Sequence, residues 1–370
     1  MKALWLAFAL VAAGTAAAQT LLDFTAAERQ RILAHGPWPQ AVGRDRSNAE
    51  DGRAKAVARG RQLFSDPRLS SDGEMSCATC HDPAAAFQDG RRTPKYGVRN
   101  TPSLLDASQQ RWFGWDGAND SSWAASLAPM ASATEMGPAK DGADLVTMAK
   151  ALAAYQGTLT SARTPFDDFR DALARHDLRA AASYPLDAQR GLRLFIGESR
   201  CSVCHSGPRF SNGEFADIGI PFFVPDGVDA GRHAGLKRLL ASPHNRLGAH
   251  NDAGAVRDTR AVTTRHVVTE PRHFGEFRVP GLRQLRHTAP YMHNGSLPTL
   301  AAVVQHYSDL DEERLHADGE RILRPLKLRP DQAADLEAFL ISLSSRQPLA
   351  LRAAQPQPQP QPQPLARPTR

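Results

Sequence analysis

The sequence predicts a mainly α-helical protein built as two similar halves, and three observations carry that prediction. The chain has 370 residues, enough for two domains of ~150 residues, each with its own core. A long pattern occurs twice: Arg59-Gly60-Arg61-Gln62-Leu63-Phe64 precedes Cys77-Ala78-Thr79-Cys80-His81, and Arg190-Gly191-Leu192-Arg193-Leu194-Phe195 precedes Cys201-Ser202-Val203-Cys204-His205. Between the copies, apolar residues recur at helical spacing. A composition of 41% hydrophobic and 23% charged residues excludes collagen, a disordered chain and a polytopic membrane protein.

In chain order, residues 1–18 have a basic start at Lys2, an apolar run from Ala3 to Ala13 and small residues at Ala16–Ala18. That is the layout of a cleaved Sec signal peptide, so export to the periplasm is expected, with no stable membrane insertion afterwards. Residues 19–44 read as an N-terminal extension. The first domain is set at 45–180, where Ser47 or Asn48 is expected to cap a helix running through Val57 to Phe64. Leu145, Met148, Leu152 and Tyr155 predict a second helix. The other domain is set at 181–346. Its Gly-, His- and Arg-rich stretch 214–275 has weak periodicity and reads as a long loop excursion, and Pro330 opens a final helix carrying Leu336, Phe339, Leu340 and Leu343. The tail, 347–370, contains a run of Gln-Pro dipeptides from Gln355 to Pro364 and is expected to be disordered. Leader and tail contribute Lys2, Arg352, Arg367 and Arg370 and no acid, so much of the net charge of +6 sits outside the domains. Nucleic acid is therefore not an expected partner.

The four cysteines decide the chemistry. Both pairs have the form Cys-x-x-Cys-His, the attachment signature of c-type haem. Cys77 and Cys80, and again Cys201 and Cys204, are expected to bond the haem vinyl groups covalently. His81 and His205 then become the proximal iron ligands. Zinc sites and redox Cys-x-x-Cys motifs need no histidine directly after the second cysteine, and here it occurs twice in a chain with no other cysteine. Covalently held haem between short helices and long loops is the cytochrome c arrangement. The predicted fold is thus two cytochrome c-like haem domains arranged by internal duplication.

A haem that only carries electrons has both axial positions filled, whereas one that reacts with a small molecule keeps one open. None of the thirteen histidines lies between Asp82 and Arg175, so no histidine of that stretch can cap the first iron. Met130 and Met136 remain as candidates.

The chain resembles the bacterial di-haem cytochrome c peroxidase and MauG family over roughly 45–345. The resemblance rests on an ordered series: the first Cys-x-x-Cys-His, Arg99-Asn100-Thr101-Pro102, Trp115-Asp116-Gly117, Pro129, Glu135-Met136-Gly137, the second Cys-x-x-Cys-His, Leu282-Arg283, and Thr288-Ala289-Pro290-Tyr291-Met292-His293-Asn294-Gly295. It implies a peroxidatic N-terminal haem and an electron-entry C-terminal haem. It also implies that Glu135 is the distal carboxylate that moves a proton between peroxide oxygens, and that Trp115 relays electrons between haems. Calcium is implied at the Asn100 side chain and the Thr288 and Pro290 carbonyls, with water completing an all-oxygen shell. The substrate implied is hydrogen peroxide. Electrons would come from a small c-type cytochrome, a cupredoxin or a protein substrate; a non-catalytic di-haem electron carrier is the contrasting reading.

Three positions set this chain apart within that resemblance. The peroxidases have methionine where Tyr307 stands, whereas MauG-like members have tyrosine. A phenolate would hold the second iron and lower its potential. Leu300, Val303, Val304 and Tyr307 also form a helical core stripe, and His306 and Met292 compete as ligands. The loop Thr93–Val98 lacks the histidine that caps the first haem in the peroxidases, so that site is expected to be open without reductive activation. Ala125 replaces the family's distal glutamine, which removes a polar partner from the pocket.

Overall fold

A computed structural model describes residues 20–91, 98–137, 144–225, 227–319 and 322–346. The leader, the Gln-Pro tail and most of the loop 93–98 lie outside the described residues. Among those described, no helix is long and apolar enough to cross a membrane.

Two crossed helix pairs organise the chain. In the first half, helix Ala54–Phe64 crosses helix Leu145–Gln156; in the second, Leu186–Ile196 crosses Pro330–Ser342. Helix Ala54–Phe64 buries Ala56, Gly60 and Phe64, one stripe four residues apart. Leu145–Gln156 is capped by Asp144, which accepts from Thr147 N, and it buries every residue from Ala149 to Gln156. Helix Ser122–Ala131 covers its other side. Pro330 opens the last helix as expected, with its fixed φ suited to a first turn.

At each crossing a glycine lets two backbones touch. A Cβ on Gly60 would lie 2.0 Å from the Ala151 carbonyl oxygen, and one on Gly191 would lie 1.9 Å from that of Asp335. The repeated Arg-Gly pattern in the sequence is thus a packing requirement.

The duplication extends to matched hydrogen bonds. Asp106 and Gln284, both in the left-handed region, accept from Ser161 N at 2.8 Å and Ser345 N at 3.0 Å through their side chains. Their own amides donate to Leu159 O and Leu343 O. Isolated bridges join Phe113 to Asn119 and Tyr291 to Leu297. Ser121 then caps helix Ser122–Ala131, as Thr299 caps helix Leu300–Ser308.

Two cores result. The first gathers Phe64, Leu69, Phe87, Met130, Met136 and Leu152. The second is larger and aromatic, with Phe210 and Phe339 each in ring contact with Phe166 and Phe195, and Phe24 and Ile32 added by the N-terminal extension. Helix Pro165–Ala174, which the sequence division counts with the first half, packs Phe166 and Phe169 into this second core.

Two local expectations are corrected. Ser47 and Asn48 do not cap the first crossing helix, which starts at Ala54 after Arg53. Ser47 Oγ accepts from Trp123 Nε1, and Asn48 Nδ2 donates to Lys150 O, so both polar side chains serve long-range contacts. Nor is 214–275 a plain loop. It contains helices Arg232–Ala241 and Ala261–His266, a hairpin pairing Phe223–Val224 with Gly227–Val228, and strand Phe215–Ala216 against Phe277–Arg278. Leu236 and Leu239 are fully buried against Trp112.

This excursion clasps the first half by charge. Buried Arg246 pairs with Asp45 at 2.8 Å and Asp258 at 2.7 Å, and its Nε donates to Asp120 O. Asp229 pairs with Arg99 at 2.7 Å, and Arg238 with Asp116.

Candidate functional site

The two Cys-x-x-Cys-His segments form near-identical turns. Cys77–Cys80 is one helical turn and Cys201–Val203 a 3-10 turn, each ending at the histidine side. His81 Nδ1 lies 3.0 Å from Phe87 O, and His205 Nδ1 lies 2.9 Å from Phe210 O. A carbonyl can only accept, so Nδ1 carries the proton in both rings. Burial lowers the pKa of both histidines, which keeps them neutral. Each Nε2 therefore presents a lone pair, the state an iron ligand requires. Phe87 and Phe210, which supply these carbonyls, both have positive φ, at 59° and 56°. No disulfide joins the four cysteines, and burial pushes the Cys77 and Cys201 thiols up to about 12.

A cavity of about 1140 Å³ opens beside the second motif, lined by Cys201, Cys204, His205, Val304, Tyr307 and Leu336 among others. Helix Leu300–Ser308 buries Leu300 and Val304 in the core and turns Tyr307 into the cavity. Burial, followed by the nearby Cys201 and Cys204 sulfurs, raises the pKa of the Tyr307 phenol. His306 makes a different contact: its Nε2 lies 2.8 Å from Ile218 O, and its ring meets Tyr307 edge-on. Met292 also lines the cavity, and its carbonyl oxygen lies 3.5 Å from Asn100 Nδ2.

Between the motifs lies a hydrogen-bonded hub. Trp115 Nε1 donates to Asn100 O at 2.7 Å, and Asn100 N donates to His293 O at 2.7 Å. The Asn100 amide donates to Pro290 O at 2.7 Å, while its buried Oδ1 has no hydrogen-bond partner. Thr288 lines the same cavity as Asn100, Trp115 and Pro290; of the three residues expected at calcium, Asn100 and Pro290 are in direct hydrogen bond. Arg99 secures the hub by pairing with Asp116 at 2.5 Å and Asp229 at 2.7 Å. His293 stacks on Phe277, and burial pushes its pKa down to about 4. Nothing in the sequence marked Asp229 or Arg238 as part of this hub, because each meets its partner across more than a hundred residues.

Glu135 stands apart from the cavity, in the turn after helix Ser122–Ala131. It is open to solvent on one side, yet desolvation by the surrounding protein raises its carboxyl pKa. Ala125 lies half-buried on the same helix. Met130 and Met136, the candidate caps of the first iron, are packed in the first core.

Residues 54–146 match the family model described as di-haem cytochrome c peroxidase. The chain is 31% identical to the methylamine utilization protein MauG of Methylorubrum extorquens, covering 92% of this chain and 91% of that protein. It is 32% identical to the cytochrome-c peroxidase IdrP1 of Denitromonas iodatirespirans, covering 80% and 83%. Among solved structures, a MauG-like protein associated with microbial copper homeostasis superposes with a TM-score of 0.62 at 24% identity, over 86% of this chain and 98% of that one. The diheme peroxidase BthA from Burkholderia thailandensis gives 0.59 at 20% identity, over 80% and 88%. With two matched Cys-x-x-Cys-His turns and relatives of this identity and coverage, the chain belongs to the di-haem cytochrome c peroxidase and MauG family of oxidoreductases.

Proposed function

We propose that the chain is an exported, periplasmic peroxidase of MauG-like character. It reduces hydrogen peroxide at a haem c held by Cys77, Cys80 and His81, and electrons enter through a second haem c held by Cys201, Cys204 and His205. The observation that carries this reading is the pairing of Pro129 with Tyr307. The two helices start from equivalent caps, and these residues lie equally far along them. Tyr307 offers a phenol to the second site; Pro129 has no side-chain donor atom, which leaves the first site free for peroxide.

The residues fit the group. Both histidines hold an Nε2 lone pair outward, both cysteine pairs are unbridged, and the cavity at the second motif exceeds the ~300–1,000 Å³ typical of small-ligand pockets. When bound, haem iron supplies the redox chemistry of peroxide cleavage. The protein's part is proton handling and alignment. Glu135, with its raised pKa, takes the proton of the inner peroxide oxygen and returns it to the outer one, which leaves as water. Trp115 is fixed through Asn100, whose chain continues to Pro102 beside His81, so its indole provides an aromatic step between the sites. Asn100 Oδ1, with the carbonyls of Thr288 and Pro290, would hold calcium, an oxygen-only set suited to that ion.

Tyr307 favours a second reading, in which the electrons come from residues of a partner protein. A phenolate stabilises the oxidised iron and suits a site that withdraws electrons from a protein substrate. Peroxide-dependent turnover of a reduced small c-type cytochrome or cupredoxin supports the scavenger. Peroxide-dependent modification of a co-encoded protein, with no such turnover, supports the oxidase. Neither activity would leave a non-catalytic electron carrier.

A further inference from the structure

Three wholly or partly buried arginines line the cavity at the second motif without an ion pair to a carboxylate: Arg209, Arg232 and Arg278. Arg278 is buried in the strand beside Phe277; its Nε donates to Gly114 O at 3.1 Å, and its guanidinium lies 5.7 Å from the Trp115 ring centroid. Arg209 sits on the loop between His205 and Phe210, and its buried Nη1 has no hydrogen-bond partner. Both line the cavity with Cys201, Cys204 and His205. The other buried arginines have partners of their own: Arg246 has Asp45 and Asp258, Arg283 has both oxygens of Asp167, and Arg232, though without an ion pair, donates to Gly117 O at 3.0 Å and lies over the Trp112 and Phe215 rings. Asp106 attracts Arg209 only from beyond ion-pair distance, and its Oδ1 already accepts from Ser161 N.

An unpaired buried cation is expensive, several kcal/mol even after relaxation. Arg278 is such a cation, and the half-buried Arg209 is close enough to repel it. Burial, then the charge of Arg209, pulls Arg278 down to about 10. A pair of carboxylates entering the cavity would relieve both, and the group expected there carries two.

We propose that Arg209 and Arg278 bind the propionates of the haem c at the second site. This rests on the reading that Cys201, Cys204 and His205 hold that haem. The arrangement is absent from the first half, where the matched hydrogen bonds put Asn100 in the place of Arg278, and the two phenylalanine carbonyls put Ala86 in the place of Arg209. The arginines thus tune the second haem alone, and Arg278 connects its propionate edge to Trp115. Cations at that edge favour the reduced iron.

The test uses the full holoprotein. Intact mass first counts the haems: a wild-type chain lacking the second haem overturns the underlying reading and the proposal with it. With two haems present, spectroelectrochemical titration of R278Q and R209Q should shift the second couple toward the oxidised form at least tenfold, about 59 mV for one electron. The first couple should stay in place, and R278K should recover most of the shift. Two-haem variants with an unmoved second couple overturn the proposal. So does a wild-type potential that responds to added acetate at constant ionic strength, since the arginines would then bind a free carboxylate.

Discussion

Pro129 and Tyr307 occupy the same position in the two repeats, equally far beyond the hydroxyls of Ser121 and Thr299 that cap their helices. The halves share a frame down to individual hydrogen bonds, so a difference at one matched position has a direct chemical meaning. A pyrrolidine ring can fill space, whereas a phenol can also coordinate.

The identity of the second ligand is tested by Tyr307→Met. Thioether sulfur favours the reduced iron relative to phenolate, so the second couple should move to higher potential. A redox titration that shows no movement would remove Tyr307 from the coordination sphere and return Met292 to consideration.

Glu135 should impose an acid limb on turnover. The carboxyl must be ionised to accept a proton, and desolvation raises its pKa. Activity should therefore fall as pH drops through a value above the ordinary carboxylate range, sooner than for a solvated glutamate. Glu135→Gln should cost about 10²–10⁴-fold in the peroxide step and abolish that limb. Stopped-flow traces of peroxide addition at several pH values check both effects.

The helix crossings should be intolerant of one added carbon. Gly191→Ala places a Cβ against the Asp335 carbonyl, and Gly60→Ala does so against Ala151. Each should lower stability by about 1–3 kcal/mol or more, read as a lower denaturant midpoint at unchanged m-value. Midpoints equal to wild type would contradict the backbone contact.

Arg246 is the cation of the clasp between the excursion and the first half. Arg246→Ala leaves Asp45 and Asp258 without their cation, one of them almost fully buried, and should destabilise by about 3–5 kcal/mol. Equilibrium unfolding measures this, and a loss under 1 kcal/mol would mean that the excursion docks by its apolar contacts alone.

What the sequence disclosed and what it hid follow from range. The haem motifs are short and local, the crossing glycines are part of a repeated pattern, and the helices at Leu145 and Pro330 show strong periodicity and clear starts. Helix Arg232–Ala241 lacks a side-chain cap and derives its order from Trp112, Gly117 and Asp116, far away in sequence. Ser47 looked like a cap because a cap and a buried acceptor for Trp123 call for the same hydroxyl. Arg209 and Arg278 carry no expectation from the sequence, since burial without an ion-pair partner has no sequence signature.

The central claim, an open first site beside a ligated second one, is tested most directly by the spectrum of the ferric holoprotein before and after peroxide. A mixture of high-spin and low-spin haem is expected, in which peroxide converts the high-spin component. A fully low-spin spectrum that peroxide leaves unchanged would contradict it.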